Sequence, residues 1–259
     1  MSDEPTADSL LGGRVRLWQP ARGYRAATDP VLLAASVPAR PGEAVFDLGC
    51  GVGAAALCLA ARVPGLALTG LERQPDYAAL ARRNAAANGA DFAVIAGDVA
   101  ALPADLRARS FAHVLANPPW FADGPAAADP GRAAARHEDR PLALWVDAGT
   151  RRLAPGGSLT LIAPAARLGD ILRSLDGRMG GITIKPLAAR AGRDAGRVIV
   201  QARKGARAPL RLCPPLILHA GAAHGRDAPD WTPEAQAILS EAAPLRLAPE
   251  PIASQVTRA

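Results

Sequence analysis

From Ala44 onward, hydrophobic positions follow two alternating patterns. One is a short, nearly unbroken apolar run, seen at Ala44–Leu48, Leu66–Glu72, Phe92–Gly97, Phe111–Ala116, Ser158–Ala163, Ile182–Pro186 and Val198–Ala202. Runs of this length suit strands buried on both faces of a parallel sheet. The other is a longer stretch with helical spacing, over Gly53–Val63, Pro75–Asn88, Arg140–Leu153 and Arg167–Asp176. Strand and helix in alternation predict an α/β fold with a doubly wound, mostly parallel sheet of seven strands. The link between the last two strands is rich in Arg and Gly and has no helical pattern. A hairpin is expected there, which makes the last strand antiparallel.

The flanks read differently. Residues 1–9 are expected to be a flexible leader. Leu10 to Gln19 alternates apolar with small or basic residues and reads as a hairpin turning at Gly12-Gly13. Asp29-Pro30 is expected to open a helix, with Asp29 as N-cap, Pro30 at the first helical position and Val31 to Val37 as its body. Phe121–Ala135, rich in Ala, Gly, Asp and Pro, reads as a mobile loop. The main domain is expected over residues 10–205. Residues 206–259, proline-rich with one helix candidate at Pro233–Ala242, are expected as an appendage packed on it.

Composition narrows the function classes. With 259 residues and 49% hydrophobic content the chain can bury a full core. No apolar run nears the ~18 residues that span a bilayer. The polar, acidic start Met1-Ser2-Asp3-Glu4-Pro5 is unlike a signal peptide, so the cytoplasm is expected. Cys50, Cys58 and Cys213 form no Cys-x-x-Cys pair, and His113, His137, His219 and His224 complete no ligand set, so no metal is expected. A monomer is expected. The net charge of +6 suits an anionic partner such as RNA. Two basic runs could grip phosphates. Arg14, Arg16, Arg22 and Arg25 form the first; Arg190, Arg193, Arg197, Arg203, Lys204, Arg207 and Arg211, interrupted only by Asp194, form the second. A solvated surface in an arginine-rich chain is the other reading.

Candidate chemistry sits at strand ends. Asp47-Leu48-Gly49-Cys50-Gly51-Val52-Gly53 ends the first long strand and opens a helix. Its glycines permit a tight turn and close approach of a ligand, and the helix N-terminus behind them favours negative charge. The glycines alone also fit a dinucleotide. Acids at three successive strand ends shift the balance. Asp47 can hold a cationic amino group. Glu72, with Arg73 beside it, can accept from both hydroxyls of a ribose. Asp98, followed by Val99, can accept from an adenine amino group. Together they match S-adenosylmethionine, which is zwitterionic and carries no phosphate. Helix capping is the competing role for these acids.

Asn117-Pro118-Pro119-Trp120 ends the fourth long strand. An amino nitrogen conjugated with a ring is a poor nucleophile. The Asn117 side-chain carbonyl and the Pro118 backbone carbonyl can each accept one of its hydrogens, on a backbone stiffened by proline. Held out of the base plane, these acceptors favour a pyramidal nitrogen whose lone pair faces a methyl donor. Trp120 offers a face on which an extruded base can stack.

On these motifs the chain resembles the class I methyltransferases. It resembles in particular the bacterial tRNA adenine-N6 methyltransferase family that modifies the adenosine beside the anticodon of a valine tRNA. The resemblance runs from about residue 10 to 245. It is carried by Gly23-Tyr24-Arg25-Ala26-Ala27-Thr28-Asp29-Pro30-Val31-Leu32-Leu33, Asp47–Gly53 and Asn117–Trp120. Weaker support comes from Arg136-His137-Glu138, Leu153-Ala154-Pro155-Gly156-Gly157 and Thr232-Pro233-Glu234-Ala235. It implies N6-methylation of adenosine in tRNA, in the anticodon loop, with Thr28 and Asp29 near the methionine end of S-adenosylmethionine. Many relatives carry Tyr where this chain has Trp120, which puts preference for the target in doubt. Rival readings are methylation of a protein glutamine amide or of adenine in ribosomal RNA or DNA, a nicotinamide-dependent oxidoreductase, and a non-catalytic RNA-binding protein.

Overall fold

The computed structural model describes residues 4–119, 141–175, 177–221 and 230–247. Strands β1 (Thr6–Leu10) and β2 (Val15–Gln19) form an antiparallel hairpin around a 3-10 turn at Leu11–Gly13. It begins earlier than the sequence pattern indicated. Residues 6–9, expected in the leader, belong to β1 and pair with Arg16–Gln19. Polar residues at the start of β1 hid the strand, because a hairpin exposed on one side needs no continuous apolar run.

Then follow α1 (Thr28–Ser36), β3 (Ala44–Leu48), α2 (Ala54–Arg62), β4 (Ala67–Glu72), α3 (Pro75–Ala87), β5 (Phe92–Ala96), α4 (Ala104–Ala108) and β6 (Phe111–Ala116). After the undescribed stretch come α5 (Leu142–Arg152), β7 (Leu153–Pro164), α6 (Leu168–Ser174), β8 (Met179–Ala188), β9 (Ala195–Lys204), β10 (Arg211–Leu212), β11 (Leu216–Ile217) and α7 (Pro233–Glu241). All seven expected long strands are present. Helix α4 and the two-residue strands β10 and β11 are too short to carry a periodic signal.

Strands β3 to β9 lie in the order β8-β9-β7-β6-β3-β4-β5, with β10 and β11 both paired to β8. Only β9 runs against its neighbours β7 and β8, as the missing helix between β8 and β9 required. The chain moves outward from β3 through β4 to β5, then returns to the other side of β3 with β6. That reversal places a crevice beyond the C-terminal ends of β3 and β6, where ligands bind in open sheets of this kind.

The same reversal divides the helices between two faces. One core joins residues of α1, α2, α3 and the β1–β2 hairpin; the other joins residues of α4, α5 and α6. Strand residues alternate between them: Val45, Leu115 and Ile199 face the first, and Phe46, Val114 and Val200 the second. This explains the unbroken apolar runs, since both faces of each central strand are covered. Each fully buried Leu or Phe contributes about 1.5–3 kcal/mol. In β7, residues 154–157 lie between those paired to Phe111 and His113, so the Leu153–Gly157 motif forms an irregularity within one long strand.

Two linked local expectations fail. Asp29 lies inside the first turn of α1 rather than capping it, and Pro30 is its third residue rather than its first; the cap is Ala27, which makes no side-chain cap bond. The Asp29 carboxylate instead accepts from Arg197 Nε at 3.0 Å, an ion pair between distant segments that outcompetes a local cap. At the far end of the chain, Thr232 caps α7 by accepting from the Ala235 N–H, with Pro233 following it. This gives the Thr232–Ala235 motif a structural reason.

Candidate active site

Beyond β3 the chain turns sharply through Gly49, Gly51 and Gly53 before α2 begins. Gly49 has φ +75°, and a Cβ there would lie 2.6 Å from the Trp145 ring, so packing as well as backbone demands glycine. Gly51 has φ +56° and, among the described residues, nothing within 4 Å of where its Cβ would be, which leaves that side of the loop open. Cys50 is buried, and its N–H donates to the Leu71 carbonyl at 2.9 Å, tying the loop to β4.

The three acids differ in state. Asp47 is 3% exposed and its Oδ2 has no hydrogen-bond partner among the described residues. Burial pushes its carboxyl up to about 7, against an opposing bond from the Ala56 N–H and with a further push from Glu72. Glu72 Oε2 accepts from the Gly51 N–H at 2.9 Å and Oε1 from the Gln74 N–H at 2.8 Å. Burial raises its pKa nonetheless. Asp98 Oδ1 accepts from the Ala100 N–H at 2.9 Å, a turn-closing role, with half-buried Val99 beside it and exposed Arg73 next to Glu72. A carboxylate has about four acceptor sites, and on Glu72 the Gly51 and Gln74 N–H groups each take one.

Register brings Asn117 to this loop. Leu48 pairs with both Ala116 and Leu71, so Gly49, Asn117 and Glu72 emerge side by side from neighbouring strands. Pro118 is buried and Pro119 half-buried behind Asn117. Trp120, the Phe121–Ala135 loop and Arg136-His137-Glu138 lie outside the described residues. Asn117 Nδ2 donates to the Tyr24 hydroxyl oxygen at 3.3 Å. That phenol is pushed up to about 12 by burial, with a further push from Asp29. Half-buried Thr28 and Asp29 open α1 just beyond.

Sequence reasoning did not single out Tyr24 or Trp145 as site residues. Tyr24 lay unmarked within a longer quoted motif, and Trp145 reads as one more apolar position of a helix. Tyr77, from the first turns of α3, also joins this neighbourhood: its hydroxyl accepts from the Tyr24 N–H at 3.0 Å and donates to the Tyr24 carbonyl at 3.3 Å.

The second basic run is divided by the sheet. Arg190, Arg193 and Arg197 lie on the β8–β9 turn or at the start of β9, on the edge where Asn117 emerges. Arg203, Lys204 and Arg207 lie at the opposite edge, since β9 runs antiparallel. Several are engaged within the protein. Arg190 pairs with Asp230 at 2.6 Å, Arg197 with Asp29, and Lys204 Nζ donates to the Leu153 carbonyl at 2.6 Å. In the first run Arg14 donates to the Ser240 carbonyl, and Arg25 pairs with Asp8. Arg193 and Arg207 are exposed.

A string of Glu43, His113 and Ser158 has the composition of a hydrolytic triad, with His113 2.9 Å from Glu43 and 2.7 Å from Ser158. Ser158 is 4% exposed and lies toward the N-terminal edge of the sheet, away from the crevice. It braces strands rather than meeting a substrate. Among the described residues no three His, Cys, Asp or Glu side chains are grouped to hold a metal ion, and no helix is long and apolar enough to cross a membrane.

Residues 27–169 match the methyltransferase small domain family. The chain belongs to that family. The matched segment of this methyltransferase takes in the glycine loop, the three acids and Asn117. A curated relative, tRNA1(Val) (adenine(37)-N6)-methyltransferase of Aeromonas hydrophila, is 34% identical over 189 residues, covering 69% of this chain and 76% of its own. A protein of the same name from Porphyromonas gingivalis is 38% identical, covering 57% of this chain and 61% of its own. A solved structure described as a predicted O-methyltransferase from Agrobacterium tumefaciens superposes with a TM-score of 0.69 at 28% identity, covering 84% of this chain and 98% of its own. The enzyme therefore has the class I methyltransferase fold that its strand order implies.

Proposed function

We propose that this methyltransferase transfers a methyl group from S-adenosylmethionine to the N6 amino group of an adenosine in tRNA, in the anticodon loop. The observation that carries the reading is the position of Asn117 and Pro118 at the topological switch point, one strand from the glycine loop. The tRNA substrate is supported by the names of the relatives, and the cytoplasm, where tRNA is found, is its proposed place of action. The Agrobacterium protein is described as acting on oxygen, but paired carbonyl acceptors on a proline-stiffened turn suit a nitrogen that carries two hydrogens.

The residues present fit the cofactor. The unpartnered Oδ2 of Asp47 suits a cationic amino group, the open side of Gly51 gives room, and Glu72 and Asp98 are acceptors for the ribose and the adenine. Thr28, Asp29, Cys50, Gly53, Arg73 and Val99 complete the proposed surround. When bound, S-adenosylmethionine supplies an electrophilic methyl group on a sulfonium. Asn117 Oδ1 and the Pro118 carbonyl accept the two amino hydrogens of the target base and orient its lone pair. Trp120 is proposed as the stacking surface for that base. Arg190, Arg193 and Arg197 on the same edge are the proposed phosphate contacts.

The test is methyl transfer from labelled S-adenosylmethionine to total tRNA from a strain lacking this gene, followed by nucleoside analysis. New N6-methyladenosine is expected. An unlabelled tRNA pool, with protein that binds the cofactor, would redirect the search to ribosomal RNA or a protein amide. In the same assay Asn117→Ala is expected to lower turnover by at least about 100-fold, as for loss of a transition-state contact, with cofactor affinity nearly unchanged.

A further inference from the structure

The Asn117 amide has two different ends. Its carbonyl must face the target amino group; turned over, it would present two hydrogens to another donor, and the nitrogen lone pair would not be freed. Something in the protein has to choose between these orientations. A neighbour that meets the other end is Tyr24, whose hydroxyl oxygen lies 3.3 Å from Asn117 Nδ2.

We propose that Tyr24 is a positioning residue for Asn117: its phenol oxygen holds the amide nitrogen and so keeps the amide carbonyl turned toward the target amino group. The inference rests on the reading of Asn117 given above. Three observations support it. First, Tyr24 is itself clamped, because the Tyr77 hydroxyl accepts from its N–H at 3.0 Å and donates to its carbonyl at 3.3 Å. Tyr77 comes from α3, so the clamp ties the phenol to the frame of the cofactor site. Second, burial keeps the hydroxyl protonated far above neutral pH, with Asp29 adding to that push and Arg197 opposing it, so the phenol oxygen meets the amide as a neutral group. Third, the segment that carries Tyr24 is anchored a few residues on, where Asp29 is held by Arg197 Nε at 3.0 Å. Tyr24 lies ahead of the segment that matches the family.

The experiment is steady-state kinetics of Tyr24→Phe on the tRNA substrate, with cofactor affinity, thermal midpoint and the side-chain amide resonance of Asn117 measured in parallel. Phenylalanine keeps the ring and both backbone bonds to Tyr77. The expected result is a fall in kcat of roughly tenfold, the size of one lost hydrogen bond. Both KM values and cofactor affinity stay within about twofold, and the Asn117 amide resonance shifts. An unchanged kcat overturns the proposal. So does a fall in kcat accompanied by a matching loss of cofactor affinity, since that describes a structural role. If Tyr24→Phe fails to fold, Tyr77→Phe carries the test: it loosens the clamp and should lower kcat alone, and no change would again overturn the proposal. Asn117→Ala is run beside them. Full turnover in that variant would sink the reading of Asn117 itself. An inactive Asn117→Ala beside a fully active Tyr24→Phe would sink only the role of Tyr24.

Discussion

At the scale of single residues, Asp47 carries a conflict between stability and binding. Its carboxyl is 3% exposed, one oxygen lacks a partner, and burial raises its pKa from 3.8 to about 7. An acid whose folded pKa lies above its unfolded value contributes stability that is complete below the unfolded value and is lost as pH rises through the folded one. Asp47 therefore costs stability above neutral pH, and the cationic ligand group proposed for this site would offset that cost. Asp47→Asn is expected to raise the melting temperature of the empty protein more at pH 8 than at pH 5, by roughly 2–4 °C for each kcal/mol recovered. It should also weaken cofactor binding by about tenfold or more, as loss of a charge-assisted bond does. Calorimetry with and without S-adenosylmethionine measures both. Equal shifts at the two pH values, or unchanged affinity, would contradict the assignment.

Between elements, polar side chains do work that apolar patterning does not announce. Fully buried Asn84 accepts from the Trp18 N–H at 2.8 Å and donates to the Trp18 and Val52 carbonyls at 3.0 and 2.9 Å. One turn later Asn88 accepts from the Arg16 N–H at 2.9 Å and donates to its carbonyl at 2.7 Å. Two amides spaced one helical turn apart thus stand in for a neighbouring strand along β2. On the other side of the molecule His113 links the approach to β3 with β7 through Glu43 and Ser158. Burial lowers the His113 pKa from 6.5, despite the pull of Glu43 in the other direction. A base whose folded pKa is depressed contributes stability above its unfolded value, about 6.5, and loses it as pH falls through the folded value. That contribution is expected to fall as pH drops below about 6.5, opposite in sign to the contribution of Asp47. His113→Gln, which keeps hydrogen-bonding groups but cannot titrate there, should remove it, so the melting temperature of the variant should rise relative to that of the unmodified protein as pH is lowered. A difference between the two that stays constant with pH would assign the effect to other groups.

At the scale of the whole molecule, charge is divided by the sheet. Strand β9 covers ten residues, about 33 Å at a strand rise of about 3.3 Å per residue. Arg193 beyond one end and Arg207 beyond the other therefore cannot serve one short stretch of backbone near the crevice. Arg193→Ala is expected to weaken tRNA binding severalfold and to reduce the salt slope of log K by about 1, as loss of one phosphate contact does. Arg207→Ala is expected to leave both unchanged. Titrations at several salt concentrations measure this, and equal effects from the two variants would mean that tRNA reaches around the sheet.

The alternation of strand and helix, the reversal of the last strand, the glycine loop and the acids at strand ends were all legible along the chain. These features depend on local periodicity or on a short offset from a strand terminus, and both are written in neighbouring residues. Tertiary structure decided what depends on strand order and register. It set Tyr24 against Asn117 across 93 positions of sequence and packed Trp145 beneath Gly49. It also turned Asp29 from a local cap into the partner of Arg197 and sent one arginine run to opposite edges of the sheet. No local pattern carries such contacts, because their partners become neighbours only after the sheet has assembled.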